Sequence, residues 1–272
     1  MKLSVSSAWR APLEAPLRLL VACAILFAPL AGTLAGWLCL VASASLLQPT
    51  PAILAGVALS SVGVVLWPLL LLLGYYLRTV REAAEGSTTL PAWNHWFSLT
   101  VDGLAMVVTI FLISMWPVVP FVVGGGLMGG FAAIPGMADP RNSLAATFLS
   151  LFGSVLGICC LIGFFLIFVA LIVMGPMAIL RLARTNSVFS AANPFALLVD
   201  IFAGGLDYLV FLSLVVVTYV VLFMALSLLT LLSMGILTPV AIMLAPITQV
   251  YVKLFSAQLL GQYGRAHLRR TA

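Results

Sequence analysis

Gly74 to Asp102 reads GYYLRTVREAAEGSTTLPAWNHWFSLTVD, and its reading decides the fold. It is the longest polar interruption in a chain that is otherwise almost entirely apolar. Leu54 to Leu77 on its left carries no charge, and Gly103 to Gly130 on its right carries none. Between them stand Arg78, Arg81, Glu82 and Glu85, then Trp93, His95, Trp96 and Phe97. One membrane helix is predicted to end at the arginines. The chain then crosses a short aqueous loop, lies at the membrane surface through the aromatics, and re-enters at Asp102. Tryptophan and tyrosine favour the headgroup level, which supports that placement.

The rest of the chain has the same character. Of its 272 residues 64% are hydrophobic and only 7% charged, with a mean hydropathy of +1.25. Soluble domains carry roughly 25% charged residues, so the bilayer is the implied solvent. A spanning helix needs about 20 apolar residues. The long apolar runs do not alternate as barrel strands do. An all-α integral membrane protein follows, with no aqueous domain large enough for nucleic-acid binding. Cys23, Cys39, Cys159 and Cys160 all fall within apolar runs and read as small packing residues, not as a disulfide or zinc framework.

Outward from the central stretch, six helices are predicted: about 17–41, 52–81, 103–123, 149–184, 206–232 and 236–263. The first run is too long for the apolar core of a signal peptide and reads as a retained helix. Gln48 to Pro51 and Ser233 to Gly235 are uncharged turns, and Ala138 to Ser143 is a strong turn signal, with Asn142 or Ser143 as a helix cap. Pro176 marks a kink. Asn193-Pro194 reads as a cap followed by proline at the first helical position. Pro91 opens an amphipathic surface helix with Trp93, Trp96, Phe97 and Val101 on one face. The glycine run from Gly124 to Gly130 reads as a flexible turn or close-packing segment; it lacks the following Lys or Ser/Thr of a phosphate loop.

With six helices both ends lie on one side. That side receives Lys2, Arg10, Arg18, Arg78, Arg81, Arg181, Arg184, Arg265, Arg269 and Arg270, and the other receives Arg141. This asymmetry places both termini in the cytoplasm of a multi-pass protein of the cytoplasmic (inner) membrane.

The layout also repeats. Trp9 and Glu14, Phe97 and Asp102, and Phe195 and Asp200 share one spacing, the last two as FSLTVD and FALLVD. Phe202 and Asp207 share it too, so the weight rests on the common order of elements. Each unit has a surface segment, an entering helix, an outer turn, and a returning helix that ends in arginines. Three parallel hairpins are predicted over about 1–86, 87–186 and 187–272, within a single transmembrane domain. This differs from the inverted repeat of many carriers.

The run GYYLRTVR, followed by Gly86, Pro91, Trp93 and Asp102-Gly103, resembles a bacterial and archaeal membrane family known as domain of unknown function four thousand and thirteen. Asn193-Pro194-Phe195 and LGQYGR from Leu260 to Arg265 fit its later landmarks. The middle hairpin departs, because Gly175 to Arg181 lacks the tyrosine. The resemblance extends over nearly the whole chain. It implies a polytopic architecture and carries no substrate, cofactor or catalytic residue.

Chemistry-bearing residues are few. His95 and His267 lack metal partners at helical spacing and read as interfacial or solvated. There are no paired carboxylates and no nucleophile elbow, so neither an enzyme nor a bound cofactor or metal is predicted. Two residue sets stand out. Arg78, Arg81, Arg181, Arg184 and Arg265, with Asp102 and Asp200, form a candidate collar that contacts lipid phosphates or pairs internally. Gln249, Lys253 and Ser256 share one face of the last helix, with Tyr251, Gln258 and Gln262 nearby. That seam reads either as the lining of a cavity that attracts an anion or as a snorkelling lysine with interhelical glutamines; the second is preferred.

The expected function is a membrane scaffold or complex subunit that binds membrane lipids and a membrane-protein partner or further copies of itself. A transporter or channel built on the seam around Lys253 is the alternative. Gly32/Gly36 and Gly153/Gly157 are small-residue spacings suited to helix contact.

Overall fold

The computed structural model describes residues 4–25, 27, 32, 51–132, 143–233 and 236–271, with side chains described chiefly over 4–25, 64–116, 165–233 and 240–266. Every element within them is helical: α1 Val5–Glu14, α2 Pro16–Ile25, α3 Pro51–Glu85, α4 Trp96–Ala132, α5 Ser143–Thr185, α6 Val188–Ala191, α7 Pro194–Leu232 and α8 Thr238–Thr271. Among the described residues three stretches are long and apolar enough to cross a membrane: Trp96–Trp116, Phe165–Thr185 and Pro194–Leu232.

The helices outrun their predicted bounds. α3 continues one turn past Arg81 and stops at Gly86, whose φ of +116° lies in the left-handed region. The Gly86 and Ser87 amides donate to the Ala83 and Glu82 carbonyls at 3.2 and 2.9 Å, a Schellman closure that satisfies the last carbonyls. α4 passes through Gly124 to Gly130 without a break, so no turn forms there. A glycine in a helix costs about 1 kcal/mol but does not stop one, and membrane helices carry more glycine than soluble ones. Pro194 opens α7 as predicted, with the Asn193 side chain accepting from the Phe195 and Ala196 amides at 3.1 and 3.3 Å.

The three surface segments differ from one another. The first is a separate helix, α1, docked on α8. The Trp9 ring meets Tyr251 and Phe255 edge-on at 5.2 and 5.4 Å, and the Tyr251 hydroxyl donates to the Trp9 carbonyl at 2.7 Å. The third lies at the start of α7 and is set off by Gly205, which has φ 48° and ψ −131°. The second is only the first turns of α4, continuous with the remainder of that helix. Its predicted aromatic face is also divided. Trp96, Phe97 and Val101 are exposed, but Trp93 precedes the helix and stacks on Tyr75, with centroids 3.9 Å apart and planes 3° apart. His95, with φ 56°, breaks the helical phase between the two tryptophans.

Glycines set the helix approaches. A Cβ on Gly74 would run into the Leu99 carbonyl, and one on Gly103 would run into the Leu70 carbonyl. The two contacts are reciprocal, so α3 and α4 cross antiparallel at backbone contact. Gly261 lies against Val80, Ala83 and Ala84, and Tyr76 meets Ser256, so α3 and α8 run parallel. Arg181 with Asp200 and Val173 with Tyr208 make α5 and α7 antiparallel.

At the centre α3, α5 and α8 touch one another pairwise. Leu77, Val80, Met177, Leu180, Phe255 and Leu259 are among the buried residues they share. α4 packs on α3 and α5, and α7 on α5 and α8. Ala22 and Cys23 of α2 join Leu71, Tyr75, Val250 and Leu254 in a second buried cluster, between α3 and α8. The predicted packing role of Cys23 fits that position. Gly36, Cys39, the turn from Gln48, the segment 133–142 with Arg141, the surroundings of Gly153 and Gly157, and the side chains of Cys159 and Cys160 lie outside what is described.

Candidate functional site

The collar forms where the returning helices end. On α5, Arg181 Nη1 lies 2.8 Å from Asp200 Oδ2 of α7, and Nε faces Ser190 Oγ at 3.4 Å. On α3, Arg81 Nη2 lies 3.7 Å from Asp102 Oδ1 of α4 and donates to Asn186 Oδ1 at 2.7 Å. Its Nε donates to the Ala183 carbonyl at 3.2 Å. One guanidinium thus ties α3 to the start of α4 and the end of α5. Its planar fork suits that task better than an ammonium would.

Arg78 does not meet Asp102. It pairs with Glu82 at 3.2 Å and donates to Asn94 Oδ1 at 2.7 Å. Residues three apart on a helix point about 60° apart around its axis, which turns Arg81 toward the α4 carboxylate and Arg78 toward the loop. Arg265 Nη1 reaches Gly86, 2.7 Å from where a Cβ would stand. Arg184 is exposed.

The same device therefore closes two junctions, α3 to α4 and α5 to α7. The third, α8 to α1, uses neutral groups. Gln262 Oε1 accepts from the Ser4 amide at 3.1 Å, and its Nε2 donates to Ser7 Oγ at 3.2 Å. Glu14, the counterpart of Asp102 and Asp200 in the sequence spacing, instead lines a recess with Arg18, Thr89 and Leu90. Asn186 and Asn94 escaped the sequence reading because single amides carry no pattern, and Gln262 reads with the seam although it clamps α1. The only signal for the two asparagines was proximity to the arginine ends.

The seam is partly assembled. Gln249 and Lys253 line a cavity of about 160 Å³ between α3 and α8, with Leu72, Leu73, Tyr76 and Leu254 in its wall. Ser256 does not share that opening. It is buried, donates to the Lys253 carbonyl at 2.8 Å, and meets the Tyr76 hydroxyl at 3.4 Å. Tyr251 and Gln262 face α1 instead. Gln249 also borders a second cavity of about 290 Å³ between α7 and α8, which reaches Tyr219, Ser227 and Thr230. Among the described residues no three His, Cys, Asp or Glu side chains gather as a metal site. His95 is exposed on its turn.

Fold and site define a class first: an all-helical protein, with helices apolar enough to cross a bilayer and their ends held by arginine–aspartate junctions. The chain belongs to the family described as Protein of unknown function (DUF4013), whose match covers residues 55–231. That span runs from α3 through α7 and leaves α1, α2 and α8 outside it, so the landmark from Leu260 to Arg265 lies beyond the match. No curated protein and no solved structure matches the chain.

Proposed function

We propose that the protein is a scaffold or complex subunit of the cytoplasmic membrane that holds partner membrane proteins or lipids and performs no chemistry of its own. It spans the membrane six times as three parallel hairpins, with both termini in the cytoplasm. The core of three mutually touching returning helices supports this arrangement, as do the entering helices in the grooves between them. The repeated arginine–aspartate junction supports it independently, and so does the charge asymmetry of the sequence.

One observation carries the functional reading. α7 runs from Pro194 to Leu232, yet its buried residues are Leu197, Gly204, Tyr208 and Phe211. Beyond Phe211 the helix offers Val216, Val217, Val220, Val221, Phe223 and Met224 outward. An apolar flank of this extent needs lipid tails or another membrane helix against it. Purification from native membranes under mild detergent, with cross-linkers placed at Val220 and Phe223, tests the reading. A discrete partner or a second copy supports it, and a cross-link-free monomer with no retained lipid contradicts it.

The second reading is a transporter or channel, favoured by Gln249 and Lys253 lining a cavity. Saturable solute flux in proteoliposomes, abolished by Lys253→Met, would establish it in place of the first.

A further inference from the structure

Lys253 occupies an unusual place. Gly261 packs on Val80 and Ala84, beside the last turns of α3, at the level of Arg81. Lys253 lies eight residues earlier on α8, about 12 Å deeper at 1.5 Å per residue. Side chains on a helix lean toward its N-terminus, so the Lys253 stem leads away from the arginine end and toward the bilayer interior. Thr238, where α8 begins, is about 22 Å further on in that direction. Trp9 of the surface helix α1 packs on Tyr251 and Phe255, on either side of Lys253, and Lys253 is itself exposed, so it stands beside the surface layer and not at mid-bilayer. Among the described residues no carboxylate lies within 4.0 Å of Lys253. Glu82, Asp102 and Asp200 are engaged by Arg78, Arg81 and Arg181. An ammonium that leans into the apolar layer with no carboxylate beside it calls for a counter-charge from outside the chain.

The surroundings define the counter-charge. Gln249 stands one turn away on the side toward which Lys253 leans, and both line the same cavity. An ammonium and an amide that converge on one space suit an oxyanion. The remaining wall is mostly apolar, with Leu72, Leu73 and Leu254 beside Tyr75 and Tyr76, whose hydroxyls meet the Pro91 carbonyl and Ser256. A volume near 160 Å³ is smaller than the roughly 300–1,000 Å³ of a pocket that encloses a drug-sized ligand. It fits a headgroup whose tail continues outside the cavity.

We infer that the α3–α8 cavity binds the carboxylate or phosphate headgroup of an anionic membrane amphiphile, with Lys253 as its counter-charge and Gln249 as a second donor. This rests on the lipid- and partner-binding reading above and names the lipid class and the residues.

The test uses the full chain in phosphatidylcholine nanodiscs. The probes are spin-labelled stearic acid, its methyl ester, and spin-labelled phosphatidic acid and phosphatidylcholine; the readout is the immobilised fraction. Each anionic probe should associate about tenfold more strongly than its neutral counterpart, the scale of one charge-assisted hydrogen bond. Lys253→Met should bring that ratio near one, Lys253→Arg should keep most of it, and Arg10→Gln on the exposed face of α1 should leave it unchanged. Gln249→Leu, which keeps the lysine, should lower the ratio several-fold and serves if Lys253→Met fails to fold. A wild-type ratio near one, a ratio indifferent to both seam substitutions, or an equal loss in Arg10→Gln would overturn the site. Displacement of stearate by millimolar inorganic phosphate would identify a small soluble anion and overturn the amphiphile. None of these failures touches the holding of a protein partner, which cross-linking at Val220 and Phe223 reads separately.

Discussion

Gly74→Ala should loosen the protein at the α3–α4 crossing. The added Cβ would overlap the Leu99 carbonyl oxygen and sit 2.7 Å from the carbonyl carbon and 3.0 Å from Cα. Ordinary contacts lie near about 3.5 Å, and the overlap with the carbonyl oxygen is the worst of the three, so α3 and α4 would have to part by roughly 1.5 Å at this point. No rotamer relieves the clash, because the partner is backbone. Parting there also opens the reciprocal contact of Gly103 with Leu70. Overpacking costs about 1–3 kcal/mol, and a rigid backbone partner puts this site near the upper end. Alanine returns about 1 kcal/mol of helix propensity, which leaves a net loss of about 2 kcal/mol. At roughly 2–4 °C per kcal/mol for a large domain, the melting temperature in detergent should fall by about 4–8 °C, read by tryptophan fluorescence. The matched control is Gly175→Ala on α5, at the corresponding place in the middle repeat. Nothing lies within 4 Å of its Cβ, so the substitution should be neutral or stabilising by up to about 1 kcal/mol. If Gly74→Ala melted with the wild type, or Gly175→Ala fell as far, the close backbone crossing would be refuted.

The junctions give further expected outcomes. A double-mutant cycle on Arg181 and Asp200 should give a coupling of only about 0–1 kcal/mol, since their side chains are 27% and 31% exposed; a cycle on Arg78 and Asp102 should give none. Trp93→Ala should cost about 3 kcal/mol, because it removes the stack on Tyr75 and the indole N–H bond to the Arg18 carbonyl at 3.1 Å; an unchanged melting curve would contradict that docking. Gln262→Ala should free α1, seen as faster amide exchange at Ser4 to Ser7 with α3 and α5 unaffected; uniform loosening would show that the clamp is not local.

The sequence made some features legible and hid others, for identifiable reasons. The arginine ends of α3 and α5, the Asn193-Pro194 start of α7 and the break before Leu206 all rest on local chemistry that one chain segment expresses alone. The inward turn of Trp93 was hidden because it depends on His95 taking a positive φ, which no spacing rule anticipates. The helix through Gly124 to Gly130 was hidden because glycine punctuates helices in water and does so less in lipid. The choice of Arg81 over Arg78 as partner of Asp102 depends on helix phase across a tertiary contact. Gly74 and Gly103 stood in plain view beside the central polar stretch, yet their reciprocal contact appears only when both helices are placed.

The most direct measurement is cysteine accessibility in intact cells and inverted vesicles, in a background without Cys23, Cys39, Cys159 and Cys160. Single cysteines at Ser87 and Thr271 should be labelled from the cytoplasmic face alone, and one at Asn142 from the outer face alone. Labelling of Ser87 from outside would contradict the three-hairpin arrangement, and with it the proposed membrane role.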